Sequence, residues 1–210
     1  MNPLWEKILF LGLGWILGLS SPLIVDALKR RREAGDVHAT LRIELKELQY
    51  RMAVVSYMIH IRLGTMDKTV LNWLRPIIES YDGLNTNPSL LNAIDRLLAV
   101  SDDQFQLAVE RSKSSSDSAL SLKKYPTSSF DARSAMLLNT KLQNRLSEIR
   151  VYLSLFNDEV DQARYYSQQT FNSSISESNL ERVRHNLSES QKNASAAAKI
   201  IVDHIGKIEW

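Results

Sequence analysis

The feature that most limits how this chain can fold is an eighteen-residue stretch, Ile8 to Val25, without a single charge. It reads ILFLGLGWILGLSSPLIV and is bounded by Glu6-Lys7 and Asp26. With its apolar flanks, from Leu4 to Leu28, it reaches the roughly 20 residues a helix needs to cross a ~30 Å hydrocarbon core. A buried core helix seldom runs so far without a charge. A cleaved signal peptide carries its basic cluster before a shorter apolar stretch, whereas here Lys29-Arg30-Arg31-Arg32 follows it. The expectation is a retained transmembrane helix, and the positive-inside rule places the basic cluster and everything after it in the cytoplasm. Residues 1–32 therefore read as a single-pass anchor in the cell (inner) membrane, with the N-terminus outside and the C-terminal domain cytoplasmic. Lys29, Arg30, Arg31 and Arg32 set the topology and meet anionic lipid headgroups.

Gly12, Gly14 and Gly18 within the stretch do not read as a phosphate loop, which needs a preceding strand and water-accessible amides. Gly14 and Gly18 instead have the small-x-x-x-small spacing that lets two membrane helices approach closely, and Pro22 lies one turn further along the same stripe. Lacking an amide for the helix ladder, Pro22 is expected to kink the span.

After Arg32 the pattern is helical throughout, and residues 33–210 are expected to form a cytoplasmic antiparallel bundle of long heptad-patterned helices. Leu41, Leu45, Leu48, Met52, Val55 and Ile59 step alternately by four and three, a heptad seam that Gly64 and Thr65 close. Gly35-Asp36 leaves open whether this helix continues directly from the membrane segment. A second helix is expected over about residues 66–81, with a kink or interruption near Pro76. Short helices follow from Pro88 and from Ser101, whose spacing to Gln104 suits a capping box. The serine-rich segment of about 112–129 reads as a fraying helix end followed by a flexible loop.

The last eighty residues are the most regular. Leu142, Leu146, Ile149, Leu153, Phe156, Val160 and Ala163 form one seam, and Leu180, Val183, Leu187, Ser190, Ala194, Ala197 and Ile201 form another. A polar turn at 172–176, with a capping box at Ser178 and Glu181, makes them a helical hairpin. The alanines at 194–198 are expected to face bulky residues such as Leu146 and Ile149. The positions expected to carry the bundle are Leu41, Leu45, Leu48, Leu146, Leu153, Phe156, Leu187 and Ile201.

Composition narrows the function classes. There is no cysteine, so disulfides, thiolate zinc sites and cysteine nucleophiles are excluded. A net charge of +2 is too small for a dedicated nucleic-acid binder. None of the four histidines lies in a His-Glu-x-x-His or Glu-x-x-His signature. Glu181, His185 and Glu189 share one helix face, which reads as a solvated surface, and His204 has no visible partner. With no nucleophile elbow or phosphate loop, neither enzymatic activity nor a metal or other cofactor is expected.

In layout the chain resembles small anchored proteins of bacterial anti-phage systems, in which a membrane segment precedes a cytoplasmic sensing or oligomerising domain; the resemblance is one of architecture and carries no residue roles. The leading reading is a membrane-anchored bundle that tethers or scaffolds a cytoplasmic protein partner, with membrane lipid as a second partner. The alternative is a membrane-perturbing effector that forms homo-oligomers through Gly14 and Gly18. A ligand-sensing bundle is the weaker third.

Overall fold

The computed structural model describes the backbone of residues 3–83, 88–115, 122–126, 138–172, 174 and 176–210; within these, the side chains of 3–14, 16–24 and 113–115 are not described. Among the described residues the protein is all-α, with six helices and no strand. They are α1 (Pro3–Leu63), α2 (Lys68–Glu79), α3 (Pro88–Ala99), α4 (Asp102–Ser115), α5 (Thr140–Gln169) and α6 (Glu177–Gly206). Among the described residues no helix is long and apolar enough to cross a membrane. The side chains of Gly14, Gly18 and Pro22, and most of the apolar run, lie outside the described part, so the expected packing stripe does too.

Gly35-Asp36 does not break the chain. α1 is one helix of 61 residues, about 90 Å long at 1.5 Å per residue. Gly35 has nothing within reach of a Cβ, so its cost of roughly 1 kcal/mol relative to Ala is a matter of helix propensity alone. From Val25 to Thr40 the helix is mostly exposed, and burial begins at Leu41. Ahead of Leu41, partly buried Val37 already packs against the core.

α1 stops where the sequence says it must. Gly64 sits at φ 67°, its N–H donates to the Ile61 carbonyl at 3.1 Å, and the Thr65 N–H donates to the His60 carbonyl at 3.0 Å. This six-to-one and five-to-two pair is a Schellman end, which needs a left-handed residue that glycine adopts without Cβ strain.

The core is a three-helix arrangement with α6 packed along both α1 and α5. Two contacts set the α1/α6 register: Ser56 meets Ser195, and Gln49 donates to the Val202 carbonyl. Seven residues up one helix match seven down the other, so the pair is antiparallel. Glu148 meets His204 and Glu159 meets Asn193, which makes α5 and α6 antiparallel as well. The seam residues Leu41, Leu45, Leu48, Leu146, Leu153, Phe156 and Ile201 are all buried.

The register corrects two expectations. Ala194 to Ala198 lie level with residues 154–158 of α5, so the small stretch accommodates Phe156, while Leu146 and Ile149 lie level with Gly206 and Asp203. Leu187, with Val183 and Leu180, is only half-buried, and full burial of the α6 seam begins at Ser190. Leu63, the last residue of α1, lies level with Ser188. The first three turns of α6 overhang α1 and, among the described residues, pack chiefly on α5.

The shorter helices pack outside this core: α2 turns back along α1 after Gly64, so that Trp73 reaches Asp203 and the Tyr81 ring stacks on Tyr50, 4.1 Å between centres. α2 buries Leu71, Leu74 and Ile78, α3 buries Ile94, and Phe105 and Val109 come from α4. Asp67 caps α2 by accepting from the Val70 N–H at 2.7 Å, and the helix runs on through Pro76 without the expected interruption. The cap of α6 is Ser176, two residues before the expected Ser178. Within the serine-rich segment, Leu122 to Pro126 have no regular secondary structure and are hydrogen-bonded to α5, while residues 116–121 and 127–129 lie outside the described part.

Candidate interaction site

Among the concavities between the described helices, two combine polar groups from separate elements in a defined geometry. The first is a cleft of about 390 Å³ where α1, α2 and α6 meet, with Ser56, His60, Asp67, Trp73, Lys192 and Lys199 on its walls. Its floor is a buried polar pair, Ser56 Oγ and Ser195 Oγ, 2.9 Å apart. The Trp73 indole N–H donates to Asp203 Oδ1 at 3.1 Å, and the Lys199 ammonium lies 5.6 Å from the centre of the Trp73 ring, within cation–π range.

His60 Nδ1 lies 3.0 Å from Thr65 Oγ1. Burial pushes the His60 imidazole below its ordinary value of 6.5; Lys199 acts in the same direction, and the Thr65 backbone and Asp67 oppose it. A histidine lowered in the folded state favours unfolding when protonated. Its contribution is therefore complete above pH 6.5 and is lost as pH falls through that value towards the folded-state one. Urea midpoints are expected to decline as pH falls below 6.5, and His60→Gln should flatten that decline.

The serine pair makes a sharper prediction. Removing one hydroxyl leaves the other buried without its protein partner, at a cost of about 1–3 kcal/mol, whereas removing both leaves nothing unpaired. Ser56→Ala and Ser195→Ala should each destabilise more than the double variant, as read from a cycle of urea unfolding curves.

The second concavity lies between α1 and α5 and is occupied by residues 122–126. Asn157 Oδ1 accepts from the Tyr125 N–H at 2.9 Å, and Asn157 Nδ2 donates to the Tyr125 carbonyl at 2.8 Å. Arg164 donates twice to the Leu122 carbonyl, from Nε at 3.2 Å and from Nη2 at 2.7 Å. Lys124 pairs with Asp161. Leu122 is buried, and the Tyr125 ring lies 6.1 Å from Phe156 and 6.0 Å from the Arg51 guanidinium. Burial pushes the Tyr125 phenol up, against the pull of Arg51. Beyond the strap about 220 Å³ stays open, lined by Glu44, Glu47, Leu48 and Arg51.

Of the residues singled out in the sequence, Lys29, Arg30, Arg31 and Arg32 are exposed on the free part of α1. Glu181 and His185 are exposed, and among the described residues no group of three or more His, Asp or Glu side chains is placed to hold a metal ion. His204 does have a partner, its Nδ1 lying 3.0 Å from Glu148 Oε2. Asn157, Asp161 and Arg164 carried no motif in the sequence. The one available signal was Leu-x-x-Tyr-Pro standing inside a serine-rich stretch.

No protein-family model matches the chain, and neither a curated protein nor a solved structure matches it.

Proposed function

We propose that this protein is a membrane-anchored interaction protein, whose helical bundle holds a cytoplasmic partner at the membrane surface. The observation that carries this reading is the continuity of α1, a single helix joining the apolar run of residues 8–25 to the buried core at Leu41. A flexible linker would let the bundle wander, whereas a helix fixes its distance and orientation. From Arg32 to Leu41 is about 13 Å of helix, which holds the bundle just clear of the headgroups that Lys29 to Arg32 would meet. Trp15, Val25 and Leu28 are exposed on α1, with no part of the bundle covering them. Large apolar side chains at these positions suit lipid contact. In this reading Gly14, Gly18 and Pro22 lie in a transmembrane helix and shape its packing.

The test is affinity purification of the tagged full-length protein in mild detergent, with the co-purifying species identified and counted. A stoichiometric second protein is the expected result. Recovery of self-oligomers alone would contradict the tether reading and favour assembly through the Gly14/Gly18 stripe.

A further inference from the structure

Residues 122–126 are held as a peptide ligand is held, and we propose that the α1/α5 groove is a recognition site for an extended basic peptide of the pattern apolar-x-Lys-aromatic-Pro, with the chain's own strap as its tethered occupant. The inference deepens the tether reading, on which its use in partner capture rests.

Three properties of the groove carry it. The first is main-chain recognition. Asn157 both accepts from and donates to the backbone of Tyr125, and Arg164 donates twice to the Leu122 carbonyl. A carboxamide has an acceptor oxygen and a donor NH2, so a single Asn can satisfy both main-chain groups of one residue. Such bonds grip any extended chain, whatever its side chains. Asn157, Asp161 and Arg164 are spaced i, i+4 and i+7 on α5, a single face of the helix. The distance from 157 to 164 is about 10 Å of helix. The three-residue step from Leu122 to Tyr125 covers about 10 Å only near full extension. The strap therefore runs stretched and opposite in direction to α5.

The second property is side-chain selection. Main-chain bonds supply affinity, and pockets for particular side chains supply specificity. Leu122 is buried, Tyr125 packs beside Phe156, and Lys123 and Pro126 face solvent. The third is charge and room. Lys124 pairs with Asp161, and Glu44 and Glu47 line the open part of the groove beside Tyr125 and Pro126. Arg51 lines the same space and pairs with Glu47, which leaves Glu44 to favour a basic residue in an incoming chain, and the remaining 220 Å³ accommodates a ligand longer than the strap.

A strap in cis competes at an effective concentration in the millimolar range for short linkers. A peptide in trans therefore binds the native chain poorly and a strap-released chain well. The probe is a fluorescein-labelled peptide of residues 121–127, Ser-Leu-Lys-Lys-Tyr-Pro-Thr, titrated with full-length protein in detergent and read by anisotropy. Tyr125→Ser should bind it at least tenfold more tightly than wild type. Adding Asn157→Ala to that variant should abolish the gain, and a scrambled peptide should show none.

The proposal is overturned if Tyr125→Ser binds no better than wild type, or if the scrambled peptide binds equally. It is overturned equally if Tyr125→Ser loses the helical circular-dichroism signal, because a detachable ligand is not required for folding. If the full-length protein still captures a partner while the groove fails these tests, the tether reading stands and only the groove assignment falls.

Discussion

Phe156→Ala is expected to lower the unfolding free energy by about 3–5 kcal/mol, the usual cost of emptying a well-packed aromatic site. Phe156 is fully buried and lies level with the alanine stretch of α6, where no larger side chain can move in to fill the void. It also supports Tyr125 of the strap. In a chain of this size each kcal/mol corresponds to about 2–4 °C, so the thermal midpoint followed by circular dichroism should drop by well over 5 °C. A loss below about 1 kcal/mol would contradict the packing described for α5 and α6.

The second large effect is a contrast within one seam. Ile201→Ala should cost about 2–5 kcal/mol, because Ile201 lies where α6 packs against both α1 and α5 and is fully buried. Leu187→Ala, two heptads earlier, should cost about 1 kcal/mol, since its site is only half-buried beyond the end of α1. Urea unfolding of the two variants checks this directly. Equal losses would mean that the α6 overhang is covered, and the register would need revision.

That contrast also shows what the sequence could and could not reveal. Heptad spacing directly encodes which face of a helix is buried, so Leu41, Leu45, Leu48, Leu146, Leu153, Phe156 and Ile201 were legible from periodicity alone. Leu187 shares the same spacing but not the same burial, because burial depends on where a neighbouring helix ends. Gly64 marks that end, yet nothing local states that Leu63 lies level with Ser188. The same limit placed the alanines opposite Leu146 and Ile149. Pairing registers are properties of two segments, and a single-helix pattern is silent on them.

The groove was illegible for a different reason. Its recognition depends on the side chains of Asn157 and Arg164 reaching the backbone of residues 122 and 125, and backbone groups carry no sequence signature. In sequence, Asn157, Asp161 and Arg164 are simply the polar face of an amphipathic helix. The link between His204 and Glu148 was hidden in the same way, since 56 residues separate the partners.

The central claim is that α1 is anchored in a membrane and carries the bundle on its cytoplasmic side. Alkaline carbonate extraction of membranes holding the full-length protein with a C-terminal tag, followed by protease treatment of right-side-out and inverted vesicles, tests both halves at once. The account predicts that the protein stays in the carbonate-washed pellet and that the tag is digested only in inverted vesicles. Release into the carbonate supernatant, or digestion of the tag in right-side-out vesicles, would contradict it.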